Sequence, residues 1–117
     1  MAVYGKFVWY DLMTTDAAAA NAFYGAVFGW GSMDAGGYAM WTIGEKGPFG
    51  GLMDGKPDAP KQWLGYVSTP DLKATIERAL ELGGTLVVPI TAISETSNFA
   101  VLSDPQGADF AVYNSSV

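Results

Sequence analysis

The stretch WYDLMTTDAAAANAFYGAVFGW (Trp9 to Trp30) decides the fold, together with its echo WLGYVSTPDLKATIERALELGG (Trp63 to Gly84). In the first, Phe7 to Met13 is an aromatic, β-favouring run that stops at Thr14-Thr15-Asp16. Asp16 is a natural N-cap for an alanine-rich helix over Ala17 to Phe28, in which Phe23 and Val27 lie four apart, and Gly29 ends that helix. In the second, Trp63 to Ser68 reads as a strand and Thr69-Pro70-Asp71 as a helix start. Ile76, Ala79, Leu80 and Gly83 then share one helical face, and Gly83-Gly84 stops the helix. Asp16 precedes Gly29 by 13 residues and Asp71 precedes Gly84 by 13, each after a strand bearing a tryptophan, Trp9 or Trp63. Agreement in period and order over a whole half-chain favours duplication over coincidence.

Working outward, each strand–helix unit is followed by short strands. In the first half these are Trp30 to Met33, Tyr38 to Ile43 after a turn at Ala35-Gly36-Gly37, and Phe49 to Asp54 after a turn at Gly44 to Pro48. In the second they are Thr85 to Pro89, Phe99 to Ser103 and Ala108 to Tyr113, the last pair joined by Asp104-Pro105-Gln106-Gly107. The pattern predicts an α+β fold of two βαβββ modules, with curved mixed sheets around a cleft and helices on the outer face. The expected organisation is a single domain over 1–117: module one 1–54, a linker 55–60, and module two 61–117.

Composition narrows the function classes. Half of the 117 residues are hydrophobic and only 15% are charged, an apolar balance that favours an oligomer interface or a lined cavity over a plain core. The net charge is −6 and Arg78 is the only arginine, so nucleic acid and acidic membrane surfaces are not expected partners. With no cysteine there is neither disulfide nor thiolate site. With no histidine, the usual general base and the commonest transition-metal ligand are both missing. Met1 to Asp11 lacks the pattern of a signal peptide and no apolar run is long enough to span a bilayer, so a cytoplasmic location is expected.

The Trp9–Trp30 and Trp63–Gly84 segments, followed by FAVLSDPQGADFAVY (Phe99 to Tyr113) with its DPxG turn, resemble in that order the glyoxalase/bleomycin-resistance/extradiol-dioxygenase, or vicinal oxygen chelate, superfamily. The resemblance covers nearly the whole chain. It implies that metal-type members would place a histidine seven residues before each capping aspartate; here those positions hold Trp9 and Leu64. The glutamate expected after the DPxG turn falls on Ala111, and the remaining ligand falls on Gly51 to Met53. The resemblance therefore implies the fold with no metal and no other cofactor. The twelve acids show no EF-hand spacing and no tight cluster, and Asp16, Asp71 and Asp104 read as caps and turns.

Strand alternation converts the resemblance into a cleft lining. Phe7 and Asp11 share the face of Trp9, while Val8, Tyr10 and Leu12 turn towards the helices. Leu64 and Tyr66 share the cleft face of their strand, as do Asp109, Ala111 and Tyr113 of the last, while Phe110 and Val112 point into the core. Trp9, Tyr66 and Tyr113, with Met53 as a fourth, make a surface for a flat apolar or aromatic ligand. Trp41 and Phe23 read as core, and Trp9 as either core or cleft wall. Asp11 reads first as an acceptor for a neighbouring backbone amide, and second as a catalytic base whose pKa is raised among aromatics. The leading expectation is a metal-free small-molecule-binding protein acting as a homodimer. The alternative is an enzyme of the same superfamily, a glyoxalase-like lyase, isomerase or dioxygenase, including metal-free proton transfer by Asp11 with Tyr66 or Tyr113. A domain acting mainly through protein partners is the third class, since fold alone does not fix function.

Overall fold

A computed structural model describes residues 4–36, 38–55, 57–58 and 61–115. Ten elements follow in the order β1 (Phe7–Thr14), α1 (Ala17–Phe28), β2 (Gly31–Ala35), β3 (Tyr38–Ile43), β4 (Lys46–Asp54), β5 (Gln62–Ser68), α2 (Leu72–Glu81), β6 (Thr85–Ala92), β7 (Ser97–Ser103) and β8 (Asp109–Ser115). This is the α+β arrangement of two βαβββ modules. Gly37 of the expected first turn, and Lys56, Ala59 and Pro60 of the expected linker, lie outside the described residues.

The two helices start by the same device. The Asp16 carboxylate accepts the Ala19 N–H at 3.0 Å, and the Asp71 carboxylate accepts that of Ala74 at 3.0 Å, so each satisfies an otherwise unpaired first-turn donor. Gly29, at φ +74°, turns the chain out of α1 while its N–H bonds the Gly25 carbonyl at 2.9 Å.

The described residues form two compact units, those within 9–64 and, together, those up to 8 and from 65 onward. In the first, the strand order is β2-β3-β4-β1, with β1 parallel to β4 and the other neighbours antiparallel. In the second it is β6-β7-β8-β5, with β5 parallel to β8. Each unit thus runs strand, helix, then a meander whose last strand returns beside the first.

Each unit has its own core. Leu12, Trp41 and Leu52 are buried in the first, with Ala17, Ala20, Tyr24, Trp30 and Phe49 packed on them. The Tyr24 ring stacks on Trp30 at 5.6 Å and meets Trp41 and Trp63 edge-on at 5.7 and 5.4 Å. In the second unit Leu72 and Ile76 of α2 pack on Ala100, Leu102 and Val112, with Ala79 and Phe110 at the margin.

Several expectations need correction. Phe23 is 60% exposed: α1 needs only its small residues and Tyr24 to reach the sheet, so Phe23 stays outside. Leu80 is also exposed, because Leu72, Ile76 and Ala79 are the α2 residues that reach the core. Val8 and Tyr10 share the strand face of Leu12 yet are exposed, so that face is buried only towards Leu12. β4 begins at Lys46 and includes Pro48, and β6 continues through Pro89 to Ala92. Both prolines fall where pairing is irregular, at a register shift between Trp41 and Ile43 and another between Val88 and Thr91. A residue without an N–H is tolerated there because the ladder is already broken. Among the described residues no helix is long and apolar enough to cross a membrane.

Candidate functional site

In the 9–64 unit the chemistry gathers on the sheet face opposite α1. Asp11, in mid-β1, is only 3% exposed. Its Oδ1 accepts the Trp9 indole N–H at 2.8 Å and the Tyr38 hydroxyl at 2.6 Å. The Trp9 N–H also lies 3.0 Å from the Tyr38 oxygen, so three side chains from two strands close a small ring of hydrogen bonds. A buried carboxylate is tolerable because polar donors replace the water it has lost.

Gly51 makes room for this ring. It is the register partner of Asp11 on one side and of Met40 on the other. A Cβ there would overlap the Tyr38 hydroxyl and the Asp11 carboxylate. Tyr38 can therefore reach across β4 only because that position has no side chain. Burial first, then the hydrogen bond to Asp11 and its charge, push the Tyr38 phenol above its ordinary range, against a smaller lowering by Trp9. Tyr38 is held as a neutral hydroxyl that donates its hydrogen bond to Asp11.

Trp9 and Asp11 are thus brought together as the alternation of β1 predicts. Met53, two residues beyond Gly51 on β4 and paired with Met13, is 39% exposed. Leu64, late in the same unit, is buried at 5%. In the other unit Tyr66 (8% exposed) pairs with Ala111, which is fully buried. The Tyr66 ring lies 5.9 Å from that of Phe99, whose register partner is the half-buried Tyr113. Asp109 sits at the mouth of the last hairpin and accepts the hydroxyl of its partner Ser103. Tyr38 is the residue that sequence reasoning missed. Its signal was indirect: Gly50-Gly51 inside an otherwise apolar strand marks a close approach by something from the next strand.

A family model described as "Glyoxalase-like domain" matches residues 8–113. The chain belongs to the glyoxalase-like domain family. This is the glyoxalase branch of the vicinal oxygen chelate superfamily, which the ordered motifs resembled. CFP32 of Mycobacterium tuberculosis, which carries a glyoxylase name, is 31% identical over 109 residues, 86% of this chain and 42% of its own. The anthracycline biosynthesis protein DnrV of Streptomyces peucetius is 29% identical over 133 residues, 97% of this chain and 48% of its own. The chain therefore spans about half the length of the curated relatives it matches. Among solved structures, the methylmalonyl-CoA epimerase of Streptomyces coelicolor in complex with 2-nitronate-propionyl-CoA superposes with a TM-score of 0.63. At 15% identity, over 98% of this chain and all of that one, it attests the fold alone.

The residues at the metal positions implied by the superfamily do not fit a metal in this glyoxalase-like domain. Leu64 and Ala111 are buried hydrocarbon. The single nitrogen of Trp9 is a donor already given to Asp11, and a donor N–H has no lone pair for a cation. At Gly51 there is no side chain and its space is filled by Tyr38 and Asp11, while Met53 offers only a thioether. Among the described residues no three His, Cys, Asp or Glu side chains group as a metal centre.

Proposed function

We propose that this glyoxalase-like domain binds a flat apolar or aromatic small molecule without a metal, on the sheet face that carries Trp9 and Asp11. The observation that carries the reading is the buried Asp11 carboxylate, held by Trp9 and Tyr38 on the face away from the helix. That pairing gives a fixed polar point beside an aromatic wall, the usual make-up of a small-molecule site. One relative supports it: DnrV is named for anthracycline biosynthesis, and anthracyclines are flat fused-ring molecules. Titration with a planar aromatic such as 2,6-dihydroxyanthraquinone should quench tryptophan fluorescence and raise the melting temperature by mass action. Trp9→Ala should abolish the quench and weaken binding by roughly 1–3 kcal/mol, the scale of one aromatic stacking contact. Binding unaffected by Trp9→Ala would move the site elsewhere.

The second reading is metal-free proton transfer with Asp11 as base, favoured by the same hydrogen-bonded carboxylate. Asp11→Asn separates the two. An activity towards a carbonyl substrate that disappears in the variant supports catalysis, and retained affinity with no turnover in either form supports binding. Stoichiometric zinc, nickel, iron or manganese in untagged protein would overturn the metal-free part of the reading. The reading also includes a homodimer: Phe23, Val27 and Phe28 leave a helix surface that is apolar and more than half exposed. Light scattering that reports a monomer at high concentration would remove the dimer from it.

A further inference from the structure

Register assigns more residues to the Asp11 face than its polar ring. Trp9, Asp11 and Met13 alternate onto one side of β1, and Met13 pairs with Met53 two places beyond Gly51. On β3, Met40 lies opposite Gly51 and Tyr38 is two residues away, while Met40 pairs in turn with Met33 of β2. All four methionines after Met1 therefore fall on this face, and the α1 side of the same sheet is built from Leu12, Trp41 and Leu52 instead. Met33 and Met53 are 45% and 39% exposed, and Met13 and Met40 are half-buried. A face meant only to be covered by rigid core would gain more from branched side chains. Unbranched, polarisable thioethers instead adapt to a partner's outline and favour aromatic rings.

The polar ring selects further. Both its donors, the Trp9 N–H and the Tyr38 O–H, point at Asp11 Oδ1. The Tyr38 oxygen donates to Asp11 and accepts from Trp9, so what it has left for an incoming molecule is a lone pair beside a carboxylate, on a chain of net charge −6. Complementarity of charge and hydrogen bonding then favours a hydrogen-bond donor and disfavours an anion. We infer that this face takes a neutral, planar, conjugated molecule whose hydroxyl or N–H points at the Tyr38–Asp11 pair while its ring lies on the methionines. The inference rests on the binding reading above and names the ligand class for it.

The test is a matched pair of probes, 2,6-dihydroxyanthraquinone and 2,6-dimethoxyanthraquinone, titrated in mildly acidic buffer where the phenols are protonated. The dihydroxy probe should bind about tenfold more tightly, the scale of one hydrogen bond to a charged acceptor group. Tyr38→Phe should shrink that preference several-fold, with folding checked by circular dichroism. The double variant Met13→Leu with Met40→Leu keeps apolar bulk, so it should weaken both probes alike and leave their ratio unchanged. As a positional readout, bound probe should protect Met33 and Met53 from peroxide oxidation, followed by peptide mass spectrometry. Equal affinity for the two probes, or binding without protection of these methionines, overturns the inference while leaving small-molecule binding intact. If neither probe binds, the binding reading fails with it.

Discussion

The two units use one backbone plan and fill it with opposite chemistry. Asp11 pairs with Gly51 in the first unit, and Tyr66, 55 residues later, pairs with Ala111 in the second. Tyr38 sits two residues before Met40, the β3 partner of Gly51, just as Phe99 sits two before Val101, the β7 partner of Ala111. The equivalent pairs are thus Asp11 with Tyr38 and Tyr66 with Phe99. The first is a hydrogen bond of 2.6 Å from phenol to carboxylate, and the second is a contact between rings 5.9 Å apart. At equivalent places the first unit sets a carboxylate against a phenol and the second sets two aromatic rings against each other. One methyl group marks the difference: Gly51 leaves the gap that Tyr38 enters, and Ala111 fills the corresponding place.

The helices differ in the same way. α2 drives Leu72 and Ile76 into its core and carries Arg78 in its last turn, where a cation complements the helix dipole. α1 has no charged residue and no fully buried one, and leaves Phe23, Val27 and Phe28 outside. The first unit therefore relies on its aromatic cluster around Trp41 for stability, and holds Trp9 apart from that cluster on the other face of the sheet.

This separation predicts the largest effect. Trp41 is fully buried, so Trp41→Ala should lower stability by about 3–5 kcal/mol in urea denaturation. Trp9 is only half-buried, and Trp9→Ala should lower it clearly less. Equal losses would mean that the two faces are not distinct in energy.

Next comes the exchange at the two equivalent small residues. Gly51→Ala forces its methyl onto Tyr38 and Asp11, so the ring of hydrogen bonds must open or β4 must shift, at about 1–3 kcal/mol. Ala111→Gly removes one buried methyl and loosens the chain, at about 1 kcal/mol. Double-mutant combination of Gly51→Ala with Tyr38→Phe should be strongly non-additive, because both remove the same interaction. Simple additivity would show that Gly51 does not act through Tyr38.

Much of this architecture is legible in the sequence itself. The aspartate caps, the helix-ending Gly29 and the alternation that puts Asp11 beside Trp9 all depend on local rules, and local rules can be read from one strand or one turn. Phe23 and Leu80 could not be placed because both suit a core, and only the packing of each helix decides which apolar residues reach it. Pro48 reads as the last residue of a turn and Pro89 as a strand end, because the bulges that admit them into strands are properties of paired strands, not of the sequence beside them. Tyr38 was invisible for a related reason. Its importance comes from a neighbour across two strands, and the glycine that permits it carries no chemistry of its own.

The smallest expected effect concerns pH. The raised pKa of Tyr38 means that its phenol keeps its proton in the folded chain where an unfolded tyrosine, with an ordinary value near 10.0, begins to lose it. Above that pH the native state binds more protons than the unfolded state, so stability falls as pH rises. Below it both states are protonated and this group contributes no slope. Urea midpoints measured between roughly pH 9 and 11 should therefore decline, with a contribution of at most one proton from this residue. Tyr38→Phe has nothing to titrate, and should flatten that part of the decline while lowering stability at neutral pH through loss of the Asp11 hydrogen bond. A decline of the same steepness in the variant would show that the Tyr38 proton is not held by Asp11 and burial, and the polar half of the comparison between the two units would lose its main support.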